Sequence, residues 1–442
     1  MAVQFVLAGG SFVLQAVAAR ALGAAGYGKY AVLYSILVVM TAIHTSLVGD
    51  SLTVFDRFDR RIRSALWICF LLSIMGGVVF ALGASTVMTG VSIEAVVLFV
   101  AVTVLWLANE TGRRIFAARM EFWRLAINDI AWYVATLASI AILAWQGITI
   151  SLASILGAMC IGLMLAIILA RVRLPRREYA FGSRREAAMT EVFGFAGWRS
   201  VQAGLRPLTL FLARLLILVQ AGPAVLGGIE AARLLMAPGI TIINGSGWFL
   251  LGDFAIAQRT GQPVRTRRAL RATGVLVAVT SVLGVISVAS VTWLEPLLTA
   301  DSFAVSRTAL VGWAIYTVCF ACTMPMGNLA AARRQSRLVF AIRGIETIIG
   351  LLALTALLAI AAELAPLAPY CLGAGGIASA AVLWSRLRRQ DPAAASATPV
   401  DSGSADRATD PEAGSDTRSA VARVSAQDDD RSDRATSAET SM

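Results

Sequence analysis

Apolar stretches of 18 residues or more recur along most of this 442-residue chain, separated by short polar or glycine-containing turns. A stretch of that length is long enough to cross about 30 Å of hydrocarbon as a helix. The stretches lack the alternating pattern of a membrane β-strand, so helices are the structure that can satisfy their backbone groups in lipid. The pattern predicts an all-α, polytopic membrane protein with about twelve transmembrane helices.

The polar positions between these stretches alternate in character. The predicted spans lie at 2–19, 30–49, 65–88, 91–109, 127–146, 149–171, 192–219, 229–252, 270–293, 305–325, 343–362 and 367–386. Each even-numbered span is followed by an arginine-rich loop or segment, at residues 57–63, 113–124, 171–185, 259–271, 333–343 and 386–389. The odd-numbered loops are short and nearly free of basic residues. Because basic loops stay on the cytoplasmic side, we expect a multi-pass protein of the cell membrane with both termini in the cytoplasm.

Composition and charge agree with this interpretation. Hydrophobic residues make up 57% of the chain and charged residues only 15%, against about 25% charged in soluble domains. The net charge is +11; the segment from Asp391 onward holds eleven acids and five arginines (−6), which leaves +17 for the first 390 residues. That positive charge sits mostly in short loops, so nucleic-acid binding is not predicted. The tail has few large apolar residues and is predicted to be disordered.

Few residues could support catalysis or metal binding. His44 is the only histidine, and the five cysteines all lie in apolar spans. Cys319 and Cys322 have CxxC spacing, but no second pair or nearby histidine completes a zinc set. We therefore predict no cofactor, no metal site and no enzymatic activity.

Two stretches about 200 residues apart are similar. The first is Gly-Ala-Ala-Gly-Tyr-Gly at 23–28, and the second is Gly-Pro-Ala-Val-Leu-Gly-Gly at 222–228. Each is followed by an apolar span and then by a Gly-Asp pair, at 49–50 and at 252–253. Matching halves in a membrane chain are typical of transporters, in which the two halves move about a site at their interface. We predict two six-helix lobes related by an internal repeat, at 1–186 and 187–390, followed by a cytoplasmic tail at 391–442.

Several arginines fall within or at the ends of spans, where a charge is costly and suggests function. The seventh span carries three of them, Arg199, Arg206 and Arg214. At 100° per residue, the three side chains fall within about 80° of one another on an ideal helix. Arg206 lies near mid-depth beside Pro207, which should kink the helix. Guanidinium groups suit forked contacts with phosphate. The predicted cationic, substrate-binding cavity comprises Arg20, Arg199, Arg206, Arg214 and Arg233.

These charged residues also have simpler interpretations. Arg20 and Arg199 could snorkel to the membrane interfaces without binding a substrate. Among the acids, Asp129 and Glu230 are candidates to pair with cavity arginines or to carry a coupling proton. A solvated or helix-capping role is the alternative for most of the acids, because most lie at predicted span ends.

Residues 19–31, Ala-Arg-Ala-Leu-Gly-Ala-Ala-Gly-Tyr-Gly-Lys-Tyr-Ala, resemble the opening signature of polysaccharide-biosynthesis flippases. These are Wzx-like O-antigen transporters of the multidrug/oligosaccharidyl-lipid/polysaccharide exporter superfamily. The resemblance implies a V-shaped cavity lined by spans 1, 2, 7 and 8, and alternating access for an undecaprenyl-diphosphate-linked oligosaccharide. It implies a lipid-linked anionic oligosaccharide and membrane lipids as partners, with other polysaccharide-assembly proteins as further candidates. Residues 227–230, Gly-Gly-Ile-Glu, depart from the family pattern, which has an aromatic residue there.

Two other functions remain open at this stage. A drug/cation antiporter of the same superfamily would favour acids over arginines in its cavity. A membrane-embedded glycosyltransferase, polymerase or ligase would usually need a long external loop or a pair of acids at the membrane surface. Adjacent glycosyltransferase genes would favour the flippase.

Overall fold

The computed structural model describes residues 2–179, 187–260 and 266–390. The predicted disordered tail lies outside these ranges. Within them every regular element is a helix, as the apolar pattern predicts. The fold class, an all-α polytopic membrane protein, is thereby confirmed.

Fourteen α-helices cover most of the described chain. They are α1 (Ala2–His44), α2 (Asp50–Val54), α3 (Arg60–Val87), α4 (Ile93–Ala118), α5 (Phe122–Trp145), α6 (Leu152–Arg173), α7 (Met189–Ala221), α8 (Pro223–Leu235), α9 (Ala237–Arg259), α10 (Thr266–Ala289), α11 (Val291–Thr299), α12 (Arg307–Ala332), α13 (Ser336–Ile360) and α14 (Ala368–Arg389). A π-helical turn at Thr45–Gly49 joins α1 to α2, and 3₁₀ turns lie at Arg176–Tyr179 and Ala362–Leu367.

Helix α1 folds back on itself at Gly23, whose φ of 64° and ψ of −179° are not helical. The apolar segment Val6–Val54 has 49 residues and would be about 74 Å long if straight, far more than a bilayer needs. The hydroxyls of Ser11 and Tyr34 lie 2.9 Å apart, and these residues are almost equally distant from Gly23 in the sequence. The two arms of α1 are therefore the first two predicted spans, packed side by side.

The remaining predicted spans each correspond to one crossing. Eleven helical segments of the described residues are long and apolar enough to cross a membrane, and the first of them contains both arms of α1. The eighth crossing differs from the prediction, since it begins at Pro223 and is broken at Met236 between α8 and α9. Pro238 sits in the first turn of α9, where its missing N–H costs nothing. Helix α7 continues unbroken through Pro207.

The two repeated signatures pack against each other. A Cβ placed on Gly28 would lie 3.0 Å from the carbonyl carbon of Pro223, and one on Gly227 would lie 2.7 Å from that of Ala24. In both cases the carbonyl oxygen would be nearer still. The positions match at a spacing of 199 residues, which relates Gly28 to Gly227 and Ala24 to Pro223. Each glycine thus packs directly against backbone atoms of the other repeat, and this explains why neither position carries a side chain.

The loops gather at two opposite ends of the helix bundle. Glycines with positive φ mark the turns of one end, which we call the glycine end: Gly23, Gly90, Gly147 and Gly222. Two of these turns are joined by Lys29, the only lysine of the chain, whose amine donates to the Gly90 carbonyl at 2.9 Å. The other end carries the arginine-rich loops as far as the structure describes them, and we call it the basic end. There the Ala188 amide donates to the carbonyl of Arg61 at 3.2 Å.

The largest hydrophobic core includes both arms of α1. Buried Tyr27, Tyr30 and Ile36 of α1 belong to the same cluster as Phe99 of the first half and Leu226 of the second. The core thus holds the halves together near the glycine end. The boundary between the lobes at residue 186 stays a prediction.

Candidate functional site

The five arginines predicted to line one cavity are distributed over four environments. Arg20 is exposed, and within the described ranges neither a hydrogen bond nor an ion pair holds its side chain. Arg214 and Arg233 share a buried carboxylate, Arg206 lines a small cavity, and Arg199 forms an ion pair at the basic end. The three arginines of α7 do not line one common site, because each contacts a different helix: Arg199 contacts α2, Arg206 contacts α12 and Arg214 contacts α8.

Glu230 of α8 lies at the centre of an ion-pair cluster. Its carboxylate is 2% exposed, and its Oε1 and Oε2 accept from Nε and Nη2 of Arg214 at 2.8 and 3.1 Å. Nε of Arg233 donates to Oε2 at 2.6 Å. Arg233 lies one turn beyond Glu230 on the same helix face. One carboxylate therefore balances two arginines and leaves a net charge of +1.

This cluster joins the two halves of the chain. Nη2 of Arg233 donates to Oε1 of Gln15, in the first arm of α1, at 3.0 Å. The buried hydroxyl of Tyr27 has no hydrogen-bond partner among the described residues. Glu230 thus pairs with two of the predicted arginines. Their charges are directed toward it and not toward an open cavity.

Arg206 occupies a different position, in a cavity of about 80 Å³ between α7, α12, α13 and α14. Its Nε donates to the hydroxyl of Tyr316 at 3.2 Å, and its guanidinium lies 3.2 Å from the centre of the Phe320 ring. Arg343 and Glu346 line the same cavity. No carboxylate of the described residues lies within ion-pair distance of Arg206.

The residues that line this cavity lie between Gln202 and Gly373. They come from the second half alone, whereas the prediction placed Arg206 in a cavity between the halves. Helix α7 packs on α13 through this face, where the hydroxyls of Thr209 and Thr347 lie 3.1 Å apart. The side chain of Arg206 therefore points into its own half. The sequence prediction is corrected in this respect.

Arg199 links the halves at the basic end. Its Nε and Nη2 donate to Oδ2 of Asp50 on α2, at 3.1 and 2.8 Å. The side chain of Arg199 is 52% exposed, so the pair is solvated and contributes little on its own.

Asp129 pairs within the first half, with an arginine that was assigned to a loop. Its carboxylate is fully buried and accepts from Nε and Nη2 of Arg113 at 2.7 and 3.2 Å. Arg113 also contacts Glu110, and Arg114 bonds Glu110 at 2.6 Å. The two arginines and two acids of this cluster balance. Asp129 therefore does not reach the arginines of α7 and α8.

The sequence prediction missed Glu110, Arg343, Tyr316 and Gln15. Glu110 could have been recognised, because arginines follow it at i+3 and i+4, the spacing of ion pairs on a helix. It was missed because span 4 was ended at residue 109, whereas α4 continues to Ala118. The other three lie far from their partners in sequence, and no local pattern marks them.

A further network connects the loops of the basic end. Glu178 accepts from Nε of Arg57 at 3.2 Å and from Nη1 of Arg119 at 3.0 Å. Nε of Arg119 also donates to Oε1 of Glu121 at 3.0 Å. This hydrogen bond is the main reason that the pKa of Glu121 lies below its ordinary value.

The comparisons with known proteins bear on the fold. No protein-family model matches the sequence, and no curated protein matches it. Solved structures do match. One is described as the inward-facing conformation of a multidrug resistance MATE family transporter of the MOP superfamily; it has a TM-score of 0.67 at 12% identity and covers 90% of this chain and 96% of its own.

Two further structures show the same similarity. The outward-facing conformation of a multidrug resistance MATE family transporter has a TM-score of 0.61 at 14% identity, with 90% of this chain and 96% of the other covered. A MOP superfamily transporter from Pyrococcus furiosus, described as having a binding pocket of reverse polarity that suggests a different function, has a TM-score of 0.59 at 12% identity, with 88% and 94% covered. The chain thus has the fold of a multi-pass membrane transporter. More particularly, it is the fold of MATE-type members of the MOP superfamily.

Proposed function

We propose that this protein is an alternating-access transporter that moves a lipid-linked anionic oligosaccharide, of the undecaprenyl-diphosphate type, across the cytoplasmic membrane for cell-surface polysaccharide synthesis. Both termini would lie in the cytoplasm, since the basic end carries the arginine-rich loops.

The charge around Arg206 is the observation that carries this proposal. Two arginines, Arg206 and Arg343, share the cavity with one acid, Glu346, so its lining carries +1. A guanidinium without a carboxylate partner in a mostly apolar setting is costly. A diphosphate would supply the missing negative charge through forked, charge-assisted hydrogen bonds.

The cavity must open for such a substrate. Its volume of about 80 Å³ is well below the roughly 300–1,000 Å³ of ordinary ligand pockets. The fold is shared with transporters described in both inward-facing and outward-facing conformations, and the TM-score is higher for the inward-facing one. The close packing of Gly28 on Pro223 and of Gly227 on Ala24 supports a state that is closed at the glycine end. A rocking motion of the halves, together with separation of α7 from α12 and α13 within the second half, would then expose the site alternately.

Replacement of Arg206 tests the proposal. In a strain that lacks its own flippase, we expect Arg206→Ala to abolish complementation at normal membrane expression. Arg206→Lys should retain part of the activity, because lysine keeps the charge but lacks the planar fork. Surface polysaccharide and flipping of a fluorescent lipid-diphosphate oligosaccharide in vesicles are the two measurements.

Arg268→Ala is the matched control. Arg268 is 59% exposed and pairs with Asp253 at the basic end, so its loss should leave transport unchanged. Transport by Arg206→Ala at the wild-type rate would remove the basis for the cationic site.

A drug/cation antiporter is the second candidate, because two of the similar structures are described as multidrug resistance transporters. A cationic drug would favour a cavity of net negative charge, and the Arg206 cavity has the opposite sign. Efflux of ethidium driven by a proton or sodium gradient would support this candidate. We expect no such efflux from vesicles that contain the wild-type protein.

A further inference from the structure

A second cavity, of about 240 Å³, lies at the basic end of the first half. It opens between α3, α4, α6 and the short helix α2, and none of the arginines predicted to bind substrate lines it. Its walls are mainly apolar and include Leu66, Phe70, Ile115 and Ile167. Trp67 lines it as well and stacks on Phe70 with ring centroids 5.1 Å apart. Such a cavity suits hydrocarbon better than a polar ligand.

Charged residues line the same cavity at its basic-end side. They are Arg57, Arg63, Arg171 and Glu178, so Glu178 is the one acid among the described residues of the lining. Glu178 is already bonded by Arg57 and by Arg119. Its single charge is therefore divided between two arginines and leaves the rim positive.

Arg63 is the rim residue with the least compensation. Its Nε donates to the backbone carbonyl of Arg57 at 3.3 Å, and no carboxylate in the described ranges lies within 4.0 Å of it. The guanidinium groups of Arg57, Arg63 and Arg177 lie 4.8, 5.8 and 5.3 Å from the centre of the Phe58 ring. Three cations around one ring attract the ring but repel one another. An anion between them would relieve that repulsion.

We propose that this cavity binds an anionic phospholipid from the leaflet at the basic end. One acyl chain occupies the apolar cavity, and the phosphodiester contacts Arg57 and Arg63 at the rim. Basic pockets between transmembrane helices bind anionic head groups in this way. A zwitterionic lipid would add the positive charge of its head group to a rim that is already positive. Free phosphate has no acyl chain and would leave the apolar part of the cavity unfilled.

Native mass spectrometry of the full-length protein in detergent tests this site. Phosphatidylglycerol and phosphatidylcholine with identical acyl chains are titrated separately, and inorganic phosphate is added as a competitor. We expect phosphatidylglycerol to bind about tenfold more tightly than phosphatidylcholine, and Arg63→Gln to weaken it about fivefold, the equivalent of about 1 kcal/mol per arginine. Ala108 lines the cavity, so the larger side chain of Ala108→Leu should occupy part of its volume and weaken the binding of both lipids.

Two control variants match these changes. Arg268→Gln removes an exposed arginine of the basic end outside the cavity, and Ala141→Leu enlarges an exposed residue of α5. Both should bind phosphatidylglycerol like the wild type, and so should Arg206→Ala, because the lipid site is separate from the proposed transport site. Equal binding of the two lipids would overturn the role of the rim.

Three other results would also overturn the proposal. Wild-type binding by Ala108→Leu would place the acyl chain elsewhere. Displacement of phosphatidylglycerol by equimolar inorganic phosphate would indicate a site for a free anion. Loss of phosphatidylglycerol from Arg206→Ala would place the lipid in the transport cavity.

Discussion

Substitution of Gly227 by alanine should force the repeated signatures apart. The added Cβ would lie 2.7 Å from the carbonyl carbon of Ala24 and nearer to its oxygen, whereas real Cβ atoms essentially never approach within 3.0 Å. The atoms that it meets are backbone, so a rotamer change cannot relieve the overlap. The ends of α1 and α8 must separate instead.

The size of the effect follows from the cost of this overlap. Excess volume in a packed contact typically costs about 1–3 kcal/mol. If the cost falls only on the state in which the glycine end is closed, it shifts the equilibrium toward the open state by about 5- to 150-fold. Gly28→Ala should behave similarly, because its Cβ would meet Pro223.

Thiol accessibility measures the shift. Ala231 is fully buried and lies one turn from Gly227, on the same face of α8. With the five native cysteines replaced, Ala231→Cys should react slowly with a membrane-impermeant maleimide. The additional Gly227→Ala change should raise the labelling rate at least fivefold.

Gly245→Ala is the matched control, since a Cβ there would meet no atom within 4 Å. It should leave the labelling rate unchanged. Equal labelling of Gly227→Ala and the wild-type background would refute the idea that this contact closes the glycine end.

Three further predictions follow from the fold and the ion pairs. Glu230→Gln leaves two buried arginines without their carboxylate and should destabilise the protein by about 3–5 kcal/mol, seen as a lower melting temperature in detergent; an unchanged melting temperature would contradict the cluster's importance. Reporters fused near Gly90 should indicate the exterior and those near Arg334 the cytoplasm, and the reverse result would invert the topology. Deletion from Asp391 onward should leave transport intact; a truncated protein that inserts but does not transport would show otherwise.

The spans were predictable because hydropathy is a local property. Twelve apolar stretches give twelve crossings, and the repeat of the Gly23 and Gly222 signatures is visible in the letters of the sequence. The break at Met236 was missed, although Pro238 marks a helix start. The end of α4 was placed too early because Arg113 and Arg114 were assigned to a basic loop, whereas Glu110 and Asp129 neutralise Arg113 inside the protein.

The charged sites were less predictable because ion pairing is a tertiary property. Their position in an apolar span marked Arg199, Arg206 and Arg214 as costly charges, and helical angles placed them on one face. Neither argument says which neighbour each arginine meets. Glu230 was recognised as a possible partner for arginine. The separation of Arg206 from the Glu230 cluster depends on how α7 packs against α8 and α13, which no local pattern encodes.

The contact between the signatures has an evolutionary consequence. Gly28 contacts Pro223, and Gly227 contacts Ala24. Equivalent positions of the two repeats therefore form both sides of the contact. This self-complementary arrangement is that of an isologous dimer, in which residue i of one subunit meets residue j of the other and the reverse. A six-helix ancestor that carried the signature once could have paired with a second copy through this contact. Gene fusion would then have joined two subunits that already fitted, and later divergence would have placed Arg214 and Arg233 in one copy only.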